Sequence, residues 1–278
     1  MQKGVPQIMD ITSIKSVLHD LSEEVLPSRF ETAQQPEPNI IQFCLRGINS
    51  QTWIEVSWNS DSARILKINR PEKIGAESTL SKQLRYGLKY MALVTIEQDK
   101  FERVIKFGFA KKPGDEINKY LIFELMGRHS NIFYLDNNQK IIAVGKQINS
   151  NQSSFRIVST GAIYSEPPKN LKKVPSVNES YESWKESISS VPESLRYCLI
   201  KTYQGVSPIL TKQLETFSNL SSLEIMNKNI DFISETNLKK IYQSWKTWIE
   251  RFNKNNFNFS IFDNFFYSVW FLKNEINN

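Results

Sequence analysis

The chain has 278 residues, 40% of them hydrophobic and six of them Trp, so it is long enough to bury two cores and too apolar to be disordered. No apolar run approaches the ~20 residues that a membrane-spanning helix needs, and the opening M-Q-K-G-V-P-Q-I-M-D lacks the apolar stretch of a secretion signal. The net charge of +6 is uneven: residues 1–99 hold 11 Lys and Arg against 12 Asp and Glu, residues 100–173 hold 13 against 6, and residues 174–278 hold 11 of each. A basic surplus confined to one segment suits phosphate-backbone binding, and it equally suits a merely solvated face.

In chain order, Ile11, Ile14, Val17, Leu18, Leu21 and Val25 fall at helical spacing over 11–26, and Pro27 ends that helix. Strand-like runs follow at 29–35, 40–46, 52–58 and 63–68. A short helix over about 79–90 sets Leu80, Leu84 and Leu88 on one face, with Lys82, Arg85 and Lys89 around it. Strands resume at 91–98, 101–110, 117–126, 131–135 and 139–145, separated by turn residues such as Pro113-Gly114 and Asp136-Asn137-Asn138. Short connections favour antiparallel pairing in a sheet that closes on itself or folds into a sandwich. Residues 166–180, with three prolines, read as a linker. Helices follow: one lined by Leu195, Leu199, Ile200 and Tyr203, one by Ile209, Leu210, Leu214 and Phe217, and one over about 235–252 carrying Trp245 and Trp248. The Asn- and Phe-rich end has strand-like runs at 257–262 and 265–272. The expected class is α+β: a mainly antiparallel β-rich domain over 1–170, a helical domain over 175–255, and a tail over 256–278 of no clear assignment.

Candidate chemistry centres on residues 120–135, Y-L-I-F-E-L-M-G-R-H-S-N-I-F-Y-L, where Gly127 to Asn131 interrupt apolar strand. Gly127 suits a sharp bend or bulge, and the same residues suit an anion-seeking edge beside a rigid sheet. Because Ile132 resumes the sheet at once, we expect an ordered turn with Arg128 and His129 held by neighbouring carbonyls or carboxylates. Alternation over 101–110 puts Arg103 on the face of Phe101, Ile105, Phe107 and Phe109, where a charge needs a partner; Glu97 and Glu124 are candidates. Lys82, Arg85, Lys89, Lys106 and Arg156 are candidates for a supporting basic surface, and Lys169, Lys172 and Lys173 read as linker lysines open to phosphate or to solvent. Between the first two C-terminal helices, Gly205 permits a tight turn, Ser207 can cap and Pro208 suits the first helical position. With two Cys (Cys44, Cys198) and two His (His19, His129), no metal-ligand spacing exists, and neither metal nor cofactor is expected. Such sparse cysteine usage suits a reducing cytosol.

Several blocks in order resemble the NFACT family, whose members include bacterial RqcH, also called FbpA, and eukaryotic NEMF. They are S-R-F-E-T-A-Q-Q-P (28–36), I-I-Q-F-C-L-R (40–46), Q-L-R-Y-G-L-K (83–89), I-E-Q-D-K-F-E-R-V-I (96–105), E-L-M-G-R-H-S-N-I (124–132), F-R-I-V-S-T-G-A-I-Y-S-E-P-P (155–168) and G-V-S-P (205–208). The resemblance covers the family's N-terminal half, over roughly 10–215. It implies a glycosylase-like β-rich domain followed by a helix–hairpin–helix, in which this chain has Ser207 where a second glycine is usual. It further implies a cytoplasmic, ribosome-associated quality-control factor that binds tRNA and the obstructed large ribosomal subunit and supports C-terminal tailing of stalled chains. An Asp-Arg pair tied to tRNA recognition in the family matches Glu102 and Arg103 here, and Arg128 and His129 of the signature join them as tRNA-binding candidates. Relatives continue into a long coiled coil and a further RNA-binding domain, neither of which occurs by residue 278.

No G-x-S-x-G elbow, Walker loop or H-E-x-x-H is present, and no enzyme activity is expected. The formamidopyrimidine-DNA glycosylases, whose fold the family resembles, need an N-terminal proline amine, whereas this chain opens Met1-Gln2-Lys3 with Pro6 too far in. A DNA-binding relative without glycosylase activity stays an alternative, as does the surface adhesin that the name fibronectin-binding protein implies.

Overall fold

The computed structural model describes residues 7–72, 77–149, 151, 156–168, 170–190, 192–263 and 266–276. Two compact units emerge: Val17–Pro168 forms one, and Met1–Ser16 together with Lys169–Asn278 forms the other. Helix α1 (Ile11–Val25) starts at Asp10, whose carboxylate accepts from the backbone N–H and the hydroxyl of Ser13 at 2.8 and 2.7 Å. Its stripe of Ile11, Ile14, Leu18, Leu21 and Val25 is buried. The division between units falls inside this helix. Residues before Val17 group with the C-terminal unit because Trp248 Nε1 donates to Thr12 Oγ1 (2.9 Å) and Lys15 Nζ to the Phe252 carbonyl (2.6 Å). The β-rich domain expected over 1–170 therefore lacks its first residues.

The Val17–Pro168 unit is built on a nine-stranded sheet. Its strands are β1 (Ser28–Glu37), β2 (Ile40–Arg46), β3 (Gln51–Ser57), β4 (Arg64–Ile68), β5 (Ala92–Gln98), β6 (Val104–Ala110), β7 (Lys119–Glu124), β8 (Asn131–Asp136) and β9 (Ile141–Val144). The spatial order is β4-β3-β2-β1-β5-β6-β7-β8-β9, with antiparallel neighbours throughout. Two meanders join where Arg29 of β1 faces Ala92 of β5. In a flat sheet β2 and β7, four strands apart, would lie roughly 19 Å from each other at ~4.8 Å per strand. The Phe43 and Phe123 rings on those strands instead stack with centroids 6.4 Å apart, and Phe107 meets Phe43 at 6.3 Å. The sheet thus curls around an aromatic core.

Helix α2 (Thr79–Gly87) carries the chain from β4 to β5, capped by Ser78, whose side chain accepts from the Ser81 N–H. Gly87 is required by a close approach: a Cβ there would lie 2.2 Å from the Tyr134 hydroxyl. The other face of β7 and β8 is covered by the segment 156–164. This strap is tied on by backbone bonds between Ile148 and Val158 (2.8 and 2.9 Å) and from Tyr164 N to the Gln139 carbonyl (2.8 Å). Ile122, Phe133, Leu135, Ile141, Val158 and Tyr164 pack together beneath it. Burial on both faces explains why 120–125 and 131–135 read as continuous apolar runs rather than alternating ones.

The other unit holds α3 (Tyr181–Ile188), α4 (Leu195–Thr202), α5 (Pro208–Phe217), α6 (Glu235–Asn253) and the hairpin β10 (Ser260–Asp263) with β11 (Phe266–Ser268). Trp184, Tyr203, Trp245, Trp248 and Trp270 are its largest fully buried side chains. The stretch read as a linker is tied to the helices where it is described. Lys173 pairs through its backbone with Thr202 and Gln204 (2.8 and 2.9 Å), and its Nζ donates to Glu179 and Ser187. Lys172 Nζ donates to the Ile200 carbonyl at 2.7 Å, so neither lysine is a loose phosphate contact; Lys169 lies outside the described residues. The tail is core as well. Trp270 Nε1 donates to Gln213 (2.9 Å), and Arg251 forks onto Glu275 at 2.8 and 3.0 Å.

Candidate nucleic-acid interface

The strand register gathers the interruption at 125–131 and the turn at 99–103 at one end of the sheet. Val104 faces Glu124, Glu124 faces Asn131, and Leu125 N donates to the Arg103 carbonyl at 2.9 Å. Glu102 and Arg103 thereby lie beside the turn that carries Arg128 and His129. Gly127, at φ 57°, opens a single 3₁₀ turn, Gly127–His129, closed by Ser130 N donating to the Gly127 carbonyl at 2.9 Å. That left-handed φ is what calls for glycine. The turn is ordered, as expected, but its anchor differs from the expectation. Arg128 and His129 are exposed, with Arg128 Nε donating to His129 Nε2 at 3.1 Å rather than to a carbonyl or carboxylate. The holding is done by buried Asn131, whose Oδ1 accepts from Ile132 N and Lys146 N (3.0 and 2.8 Å) and whose Nδ2 donates to the Lys146 carbonyl (2.7 Å).

The strand phase is right where it begins and misplaced before that. Ile105, Phe107 and Phe109 are buried, but β6 starts at Val104. Glu102 and Arg103 belong to the preceding turn, where Glu102 N donates to the Asp99 carbonyl at 2.8 Å and Gln98 Nε2 to the Glu102 carbonyl at 2.9 Å. Arg103 is half-buried there, outside the strand on whose apolar face alternation placed it.

The pairing with Glu124 considered for Arg103 is made by Arg156. Its guanidinium forks onto both Glu124 oxygens at 2.8 Å, and the Tyr164 hydroxyl donates to Glu124 Oε1 at 2.9 Å. The guanidinium carbon also sits 5.1 Å from the Phe133 and Tyr164 ring centroids. Burial alone would lower the Arg156 pKa, but its bonds to the Glu124 carboxylate hold it above the usual arginine value. Burial, then the Glu124 charge, pushes the Tyr164 phenol up. With side-chain exposures of 14% for Arg156 and 2% for Glu124, this is a clamp that fastens the strap. Arg156 is not part of a basic surface. Glu124 was considered as an ion-pair partner, but for Arg103; that Arg156 and Tyr164 are its partners escaped the sequence reading, because they return on a strap more than thirty residues later.

Other basic candidates are similarly placed. Lys82 and Arg85 both pair with Glu77 (3.3 and 2.6 Å), so one carboxylate offsets half of the charge they would offer a backbone. Lys106 is half-buried in mid-strand opposite Glu97, away from the turn. Lys89 is exposed, with its Nζ 5.0 Å from the Tyr90 ring centroid. The charge surplus also divides. Lys100, Arg103, Arg128, Lys146 and Arg156 fall at the Glu124 end of the strands, whereas Lys111, Lys112, Lys119 and Lys140 fall at the Ala110 and Asp136 end. In the helical unit Gly205 has φ 72°, Ser207 caps α5 by accepting from Leu210 N at 3.1 Å, and Pro208 begins the helix.

Among the described residues no group of three or more His, Cys, Asp or Glu is arranged to hold a metal. No described helix is long and apolar enough to cross a membrane. Cys44 and Cys198 are free and buried.

Residues 10–277 match the family described as NFACT N-terminal and middle domains. The chain belongs to the NFACT family. Among similar proteins is the Rqc2 homolog RqcH of Bacillus subtilis, 26% identical over 199 residues that cover 70% of this chain and 35% of that protein. The Rqc2 homolog RqcH of Streptococcus pneumoniae serotype 2 is 29% identical over 156 residues, covering 55% and 28%. The chain thus spans about a third of the length of these NFACT relatives. Solved structures that share its fold include two fibrinogen-binding proteins. The N-terminal part of the fibronectin/fibrinogen-binding protein of Streptococcus suis has a TM-score of 0.68 at 22% identity, covering 94% of this chain and 90% of that one. The fibrinogen-binding protein of Staphylococcus aureus has a TM-score of 0.71 at 19% identity, covering 97% and 92%.

Proposed function

We propose that this NFACT chain is the N-terminal part of a cytoplasmic ribosome-associated quality-control factor. In this reading it binds tRNA and the obstructed large ribosomal subunit, and it supports template-free tailing of stalled chains by positioning rather than by catalysis. The observation that carries the reading is the convergence of Glu102, Arg103, Arg128 and His129 at one end of a rigid sheet. Two of these residues come from one turn and two from the next, with the exposed Arg128 and His129 held out by a turn that Asn131 fixes. Such an edge suits contact with a phosphate backbone, which fixes register and orientation on a nucleic acid. The similarity to two Rqc2 homologs RqcH supports it. Titration of labelled tRNA against an equal length of duplex DNA tests the reading: tRNA preference is expected, and equal or better DNA binding would favour the glycosylase-fold alternative.

A second reading, binding of fibronectin, draws on the shared fold with the Streptococcus suis protein. Fibronectin pull-down from intact and from lysed cells separates the two. Capture from intact cells would favour the adhesin.

A further inference from the structure

Resting on the RNA-binding reading above, we propose a second RNA contact at the opposite end of the sheet: a stacking platform of Tyr86 and Tyr90 for the bases of single-stranded RNA. Both rings are left in solvent, at 76% and 63% exposure, four residues apart, with Tyr86 in the last turn of α2 and Tyr90 in the connection to β5. Tyr86 is turned outward by the same last helical turn in which Gly87 seats against Tyr134. Tyr90 has φ 68°, a left-handed conformation that a bulky residue adopts only against a steric cost and that glycine or asparagine would take more readily. A large ring kept in an unfavourable backbone state, yet not buried, serves something other than the core.

Charge around the rings fits a polyanion. Arg29 and Lys89 bring their cationic groups 5.5 and 5.0 Å from the Tyr90 ring centroid. Tyr90 N donates to the Phe30 carbonyl and Phe30 N to the Met91 carbonyl, which fixes the segment against β1. Ala92 faces Ala110, so exposed Lys111 and Lys112 leave the sheet at this same end. The nearby carboxylates are Glu31, already paired with Arg46 and Arg29, and the exposed Asp115 and Glu116. Aromatic faces set among cations bind single-stranded nucleic acid irrespective of sequence, because every base has a face to stack.

The test uses oligouridylate RNA and, as a backbone without bases, inorganic polyphosphate. Tyr86→Ala with Tyr90→Asn keeps every charge and a residue that tolerates the left-handed position. The pair is expected to weaken oligouridylate binding about tenfold per ring while leaving polyphosphate binding unchanged and without lowering thermal stability, since asparagine takes the left-handed position more readily. Lys111→Gln with Lys112→Gln is expected to weaken both ligands. Equal losses for both ligands in the tyrosine variant, or no loss for either, would overturn the platform. Arg103→Ala separates this claim from the one it rests on, since that variant is expected to lower tRNA affinity and spare oligouridylate. Wild-type protein that binds tRNA and ignores oligouridylate would remove the platform alone, and protein that binds neither would remove both readings.

Discussion

Removing the guanidinium of Arg156 tests how the strap is held. Glu124 is almost fully enclosed, and three hydrogen bonds, two from Arg156 at 2.8 Å and one from Tyr164 at 2.9 Å, satisfy its charge. In Arg156→Ala the carboxylate keeps the tyrosine hydroxyl but is left without its counter-charge in a dry site. Breaking a buried pair in this way costs about 3–5 kcal/mol. For a unit of this size, each kcal/mol lowers Tm by roughly 2–4 °C, so a fall on the order of 10 °C is expected in that unit. Because two compact units are present, amide exchange should accompany the melt, with loss of protection concentrated in β7, β8 and the strap. Tyr164→Phe should cost less, about 1–3 kcal/mol, since the Arg156 fork remains. Glu124→Leu combined with Arg156→Met should recover most of the loss, because an apolar pair leaves no stranded charge. An Arg156→Ala protein that unfolds within about 1 kcal/mol of the wild type would refute this reasoning; such a pair would be behaving as exposed ones do.

Gly87→Ala drives a methyl into the Tyr134 hydroxyl and should destabilise the β unit by about 1–3 kcal/mol, with Tyr134→Phe in the same chain relieving much of it in urea unfolding. Asn131→Ala strands the Lys146 and Ile132 backbone groups and should cost about 1–3 kcal/mol and raise amide exchange across 127–131, whereas His129→Ala should do neither. Burial, then the Glu31 charge, pushes the Cys44 thiol from 9.0 up to about 11. Above pH 9 the unfolded chain therefore loses the thiol proton before the folded protein does, and stability falls as pH rises from 9 towards 11. Cys44→Ala should flatten that part of the urea-midpoint profile; an unchanged slope would count against the assignment.

Periodicity located α1 and α6 because each buries one regular stripe, the strands stood out as alternating or continuous apolar runs, and short turns announced the antiparallel meanders. The position of β5 beside β1 was not legible, since α2 carries the chain across the sheet and no local pattern records where a crossover lands. Helix α3 also escaped, being eight residues with only Trp184 and Ile188 buried. At the candidate interface the interruption at Gly127 stood out, but the partners did not. Which cation meets Glu124 depends on a strap that returns more than thirty residues later, and alternation cannot say that β6 begins just after Arg103. Net charge per segment likewise misleads in a meander, because successive strands deliver neighbouring lysines to opposite ends of the sheet.

The central claim is that the edge formed by Glu102, Arg103, Arg128 and His129 contacts tRNA. The most direct measurement is the salt dependence of tRNA affinity for the wild type, for Arg103→Ala with Arg128→Ala, and for Lys82→Gln with Arg85→Gln. The edge variant should bind more weakly, with a log–log salt slope reduced by about 1 for each phosphate that is no longer neutralised, while its melting temperature stays near that of the wild type. The Glu77-paired helix variant should bind like the wild type. Unchanged affinity and slope in the edge variant, or weaker binding matched by a fall in Tm, would contradict the account.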